Sequence, residues 1–197
     1  MAKLALNKSA LSKEKQRRSS YERYLPSLEM KQKQLLAERK KAQKALEEHR
    51  ADIEKVEKDV SRRLPMLTVQ SIDLTQLVTV DNVQMEEENL LGTRVPRLTD
   101  FECSVVDYGY LARPHWFDEL ARALQKVLRL RLELEVLVIR VERLEKAVRT
   151  ITQRVNLFSK VLIPEASENI KRIGLFLSDQ ERAGVVRSKL AKQKNKG

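Results

Sequence analysis

The chain has 197 residues, is 34% charged and only 5% aromatic, and holds 5 glycines, none of them before Gly92. So little glycine argues against a compact α/β enzyme, which needs it for tight turns and close approach to ligands, and favours long helices or coiled coil. The net charge of +11 fits nucleic acid, an acidic membrane surface or an acidic protein as partner, and does not choose among them.

Residues 1–24 are polar and basic, with seven Lys or Arg against two Glu. An apolar stripe begins at Tyr21, Tyr24 and Leu25. From Ser27 to Leu64 there is neither glycine nor proline, which predicts a helix over about 27–63, roughly 55 Å long at 1.5 Å per residue. A heptad register fits it. The a positions are Leu25, Gln32, Arg39, Leu46, Ile53 and Val60; the d positions are Leu28, Leu35, Ala42, His49 and Val56. Gln32, Arg39 and His49 interrupt an otherwise apolar seam. Glu29/Lys33, Glu54/Lys58 and Asp59/Arg63 have the i,i+4 spacing of an exposed helix face. Pro65 ends the helix.

Residues 66–113 change character. LTVQSIDLTQLVTVDNVQM is rich in Val, Ile, Leu and Thr with partial alternation, as strands are. Gly92, Pro96, Gly109 and Pro114 punctuate the remainder. This region reads as a small insert of short strands and loops.

A second stretch without glycine or proline runs from Trp116 to Ile163, apart from its flanks. Within it Leu134, Leu137, Val141, Leu144, Val148, Ile151, Val155, Phe158 and Leu162 follow a strict 3-4-3-4 spacing, the mark of a narrow seam against a partner helix. After Leu162 the stripe resumes at Ala166, Ile170, Ile173 and Leu177, a 4-4-3-4 stutter. Pro164 sits at the change. A proline inside a helix removes a backbone bond and clashes with the preceding turn, at a cost of about 3 kcal/mol. The reading is a helix that continues through Pro164 with a kink. The basic end, Arg187, Lys189, Lys192, Lys194 and Lys196, contains no acid and reads as a frayed tail.

The expected architecture is mainly α: a long antiparallel two-helix coiled coil with a small β-containing insert at the hairpin tip. The division is 1–64 for the basic segment and first shaft helix, 65–115 for the insert, and 116–197 for the second shaft helix and tail. The seam is carried by Leu28, Leu35, Leu46, Ile53 and Val56 on one helix and by the run from Leu134 to Leu162 on the other.

No phosphate-binding glycine loop is present, and nothing assembles a nucleophile, base and oxyanion hole. His49 reads as a polar seam residue and His115 as a capping or packing residue beside Trp116. Cys103, the only cysteine, rules out an internal disulfide and points to the cytosol. With His115 it makes at best half a metal site. The chain reads as non-catalytic, without cofactor or metal. No apolar run approaches the ~20 residues that span a bilayer.

These residues resemble the D subunit of the V-type and A-type rotary ATPases, the central rotor shaft. RVNLFSKVLIP, Arg154–Pro164, is similar to that family's RRVNALE-x-x-x-IP signature, with Asn156, Ile163 and Pro164 in register. NLLGTRVP resembles its N-x-x-G-x-x-V-P element, through Asn89, Gly92, Val95 and Pro96. LEMKQKQLL, Leu28–Leu36, and YGYL, Tyr108–Leu111, resemble further family segments. Gln153-Arg154 stand where the family often has two arginines, and Phe158-Ser159 replace a small-plus-acidic pair, as in a divergent bacterial member. The resemblance implies torque transmission between ATP hydrolysis or synthesis in a catalytic head and H⁺ or Na⁺ translocation by a membrane rotor. It implies catalytic and non-catalytic nucleotide-binding ring subunits as partners. It also implies a small globular rotor subunit at the insert and a funnel-shaped subunit leading to the membrane ring. Its place would be peripheral, on the cytoplasmic face of the membrane. Two alternatives are a basic coiled coil that binds nucleic acid and a stalk or scaffold protein of a secretion ATPase.

Overall fold

A computed structural model describes residues 5–65, 77–106 and 116–195. Helix α1 spans Lys8–Arg63, strands β1 and β2 span Val78–Leu90 and Thr93–Val105, and helix α2 spans Phe117–Leu157. A five-residue π-turn, Phe158–Leu162, joins α2 to α3, Ile163–Lys194. The expectations for Tyr108–Leu111, His115 and Lys196, and for residues 66–76, fall outside the described residues. The chain forms two compact units, Met1–Lys33 with Arg149–Gly197, and Gln34–Val148.

Helix α1 starts at Lys8, well before the expected position near residue 27. Asn7 caps it: its Oδ1 accepts the Ala10 N–H at 2.7 Å, and its carbonyl accepts the Leu11 N–H at 3.0 Å, satisfying donors that a helix start leaves open. The helix then passes through Pro26. The heptad continues backwards through Tyr21 and Glu14 at d and Arg18 and Leu11 at a. Glu14 is only 8% exposed, although charged. The apolar signal is missing there because a carboxylate is buried at one of these positions and Arg18, at another, is exposed.

In the first unit α1 pairs with the end of α2 and with α3. Contacts descend one helix as they climb the other: Gln32 meets Thr152, Tyr21 meets Phe158, and Lys8 meets Glu181. That order makes the pairing antiparallel. Ile151, Ala166 and Ile173 are its buried residues on the returning helix.

In the second unit the same order holds, with Gln43 against Glu145, His49 against Glu133, Arg131 against Glu57, and Arg63 against Glu119. Leu64, Leu77, Trp116, Phe117, Leu120 and Ala121 close a core where the helices meet the insert, with Val78 and Val105 packed against it.

The insert is one antiparallel hairpin. Its strands have 13 residues each, where short ones were expected. They are joined through Leu91 and Gly92, whose φ values are 54° and 82°. Two positive φ values give the I′ kind of turn, whose twist suits the flanking strands. Asn89 Oδ1 accepts the Gly92 N–H at 2.8 Å. The register slips at Asp81 on β1 and at Thr99 on β2, two bulges that bend the ribbon.

Candidate functional site

Three separate features are candidates for function: the helical seams, the π-turn of the first unit and the hairpin of the second. On the seam, Leu35, Ile53, Val141, Leu144, Val148 and Ile151 are buried. Leu28, Leu46, Val56, Leu134, Leu137, Val155, Phe158 and Leu162 are half-buried. None of the a or d residues from Leu25 to Val60 is exposed. The polar interruptions behave differently from one another. Gln32 Nε2 donates to Thr152 Oγ1 at 2.9 Å. Arg39 Nε and His49 Nδ1 are buried without a hydrogen-bond partner, and His49 Nδ1 lies 3.7 Å from Glu133 Oε2. Lys55 Nζ donates to Asp52 Oδ1 at 2.9 Å on the outer face. That bond holds the Asp52 carboxyl below, and the Lys55 ammonium above, its ordinary value.

The stripe and the backbone change together after Phe158. A continued 3-4 repeat would bring Glu165 and Arg172 to the seam. Both are exposed, and their neighbours Ala166 and Ile173 are 3% and 0% exposed. The seam has therefore slipped by one residue. At the slip the Ile163 N–H donates to the Phe158 carbonyl, a bond over five residues where the α-helix spans four. This turn holds one residue more than an α turn, so the surplus in the stripe is taken up there. Pro164 follows at once, with no N–H to offer, and the chain stays helical through it to Lys194. Ser159 Oγ and Ser167 Oγ each donate to the carbonyl four residues back, at 2.8 Å. Tyr21 meets the Phe158 ring edge-on, with centroids 5.4 Å apart. Arg154 and Asn156 are exposed, while Ile163 is half-buried.

The hairpin lies along α2. Gln125 donates to the Cys103 carbonyl, Arg140 pairs with Glu88 at 3.0 Å, and Arg143 reaches both Glu87 and the Arg94 carbonyl. These contacts reach both strands, but burial is greater along β2. Val95 is fully buried and Pro96 is buried. Leu98, Phe101 and Cys103 are half-buried, but their cross-strand partners Met85, Val83 and Val80 are 60%, 39% and 46% exposed. Directly paired residues share a face, so the β1 half of one apolar face is left bare. No motif pointed to these three residues; the signal was their alternation along β1. That strand carries Asp81, Glu86, Glu87 and Glu88 and no basic residue.

In the first unit Arg187, Lys189, Lys192 and Lys194 are helical and exposed. Where Arg63 faces Glu119, a cleft is lined by Asp59, Arg63, Asp118, Glu119, Arg122 and Lys126. Arg63 pairs there with two carboxylates, 3.0 Å from Asp59 and 3.6 Å from Glu119. Among the described residues no group of His, Cys, Asp and Glu is placed to hold a metal, and no helix is long and apolar enough to cross a membrane.

Paired helices along an antiparallel seam, with a hairpin packed on one of them, place the chain among coiled-coil proteins that carry a β-hairpin insert. The comparison with known families agrees. The family model for the D subunit of ATP synthase matches residues 10–193. The V-type ATP synthase D subunit of Borreliella burgdorferi is 32% identical over 98% of this chain and 95% of its own length. The proteins of that name from Chlamydia muridarum and Chlamydia trachomatis are 30% and 31% identical, each over 98% of this chain and 96% of their own. The chain belongs to the ATP synthase D-subunit family.

Proposed function

We propose that this chain is the non-catalytic central-stalk rotor subunit of a V-type rotary ATPase, carrying torque between a nucleotide-driven head and an H⁺- or Na⁺-translocating membrane rotor. The observation that carries this reading is the family match across residues 10–193. The geometry suits it. A shaft must resist twist, and a long antiparallel seam does so. It must also turn inside a sleeve, and a basic outer face attracts acidic surroundings without the geometric lock of a tight apolar interface.

The partners in this reading are catalytic and non-catalytic nucleotide-binding ring subunits around the coil, a funnel-shaped subunit toward the membrane ring, and a small globular rotor subunit on the insert. The bare apolar strip of Val80, Val83 and Met85 supports the last, since an exposed apolar strip on a sheet face has room for one more element. Such a complex stands at the cytoplasmic face of the membrane.

Co-purification at native expression tests the reading. Recovery of nucleotide-binding ring subunits with a small partner supports it; recovery of nucleic acid or of a secretion apparatus overturns it. Val83→Asp with Met85→Asp should release the small partner and leave the ring subunits bound. Neutralising Lys192, Lys194 and Lys196 should weaken assembly with the head if the basic end docks there.

A further inference from the structure

A π-turn beside a proline invites the explanation that the proline made it. The seam argues otherwise. A proline within a helix deprives one carbonyl, here that of Lys160, of its donor, and a bend or a water satisfies that. Nothing in that demand adds a residue to the turn or changes which face of α3 is buried. The one-residue slip persists through Ile173 and Leu177, well beyond Pro164, where the proline has no reach. A helix without the π-turn would rotate α3 by about 100° about its axis, taking Ala166 and Ile173 off α1 and putting Glu165 and Arg172 on it.

We propose that Phe158–Leu162 is a phase-resetting joint demanded by the seam, and that Pro164 pins it in place. The pin works in one direction. Moving the turn one residue toward the C-terminus needs an N–H on residue 164 to close on the Ser159 carbonyl, and proline has none. Movement toward the N-terminus is opposed by the edge-on contact of Phe158 with Tyr21 and by the bond of Ser159 Oγ to the Val155 carbonyl. Trapped between these, the joint keeps α2 and α3 in phase with one partner helix, although the sequence carries one residue too many. It is also where twist is absorbed first, because its backbone bonds already depart from α geometry and none of its five residues is buried.

Two variants of the full chain separate the causes. Pro164→Ala should keep the extra residue in a π-turn and keep Ala166 and Ile173 buried. Free to wander by a residue or more, the turn should show amide exchange over 158–166 faster by about tenfold. Deletion of the exposed Lys160 combined with Pro164→Ala should give an uninterrupted α-helix, with α3 still seated on α1 and a melting temperature at or above that of the parent. The idea is overturned if Pro164→Ala alone yields an uninterrupted helix with Glu165 and Arg172 turned onto the seam. It is equally overturned if the deletion variant loses the pairing of α3 with α1. Both results are read on the isolated chain, so they stand or fall apart from its role in a motor.

Discussion

Gln32 and Thr152, one on each helix of the antiparallel pair, satisfy one another across the seam at 2.9 Å. Neither is apolar, yet they hold an a position together. A buried polar pair of this kind costs stability against an apolar one but fixes register, since sliding either helix by a turn leaves both groups unpaired. Gln32→Leu alone, or Thr152→Val alone, should destabilise the coil by about 1–2 kcal/mol by stranding the remaining partner. The double variant should recover most of that loss. Thermal unfolding of the four proteins as a double-mutant cycle measures it, and additive single effects would dissociate the two residues.

Other seam residues lack such a solution, His49 and Glu14 among them. His49 Nδ1 is buried without a hydrogen bond, and Glu14 is a carboxylate 8% exposed whose partner Arg17 is largely in solvent. His49→Leu and Glu14→Leu should each stabilise by about 1 kcal/mol, from apolar burial and removal of a poorly compensated polar group. A fall in melting temperature for either would show that the polar residue holds the seam together.

At the hairpin turn, Leu91 holds a φ of 54°, a region that costs a side chain with a Cβ about 1 kcal/mol. Leu91→Asn should therefore stabilise the hairpin by roughly 0.5–1 kcal/mol, Asn being favoured in a turn of this kind. Gly92→Ala, at a φ of 82°, should destabilise it by about 1–2 kcal/mol. Amide exchange of β1 and β2 reads both, with protection rising in the first variant and falling in the second.

Gly174 and Gly184 sit inside α3, and a methyl group at either position would meet nothing within 4 Å. Neither is needed for close approach or for a left-handed backbone. Gly174→Ala and Gly184→Ala should each raise helix stability by about 0.5–1 kcal/mol, seen as greater helicity and slower amide exchange in the last turns.

How much of this was legible in the sequence depends on what each element is made of. The seam from Leu134 to Leu162 could be read because its apolar residues recur without exception at 3-4 spacing. The start of α1 could not, since Glu14 is buried where the pattern needs an apolar side chain and Arg18, at the next heptad position, is exposed. The insert was legible as β but not as two long strands, because the four acids of β1 and two bulges break the alternation of the hairpin. At Pro164 the slip in the stripe was visible. Its backbone form was not, because an extra residue can be absorbed by unwinding a supercoil or by a π-turn. Hydrogen bonds decide between these, and no residue type announces them.

Helix α3 outruns its partner. Lys8, in the first turn of α1, pairs with Glu181, while α3 goes on to Lys194 with every residue after Gly184 exposed. A helix of that length standing alone is marginal in water. Lys192 and Lys194 in its last turn favour it through the helix dipole, and Gly184 works against it. The outer end of α3 is thus a conditional structure, one that would gain its missing walls only from a protein that fitted around it. Free and housed, the same residues would form two different thermodynamic objects, and the cost of ordering them would belong to the step that housed them.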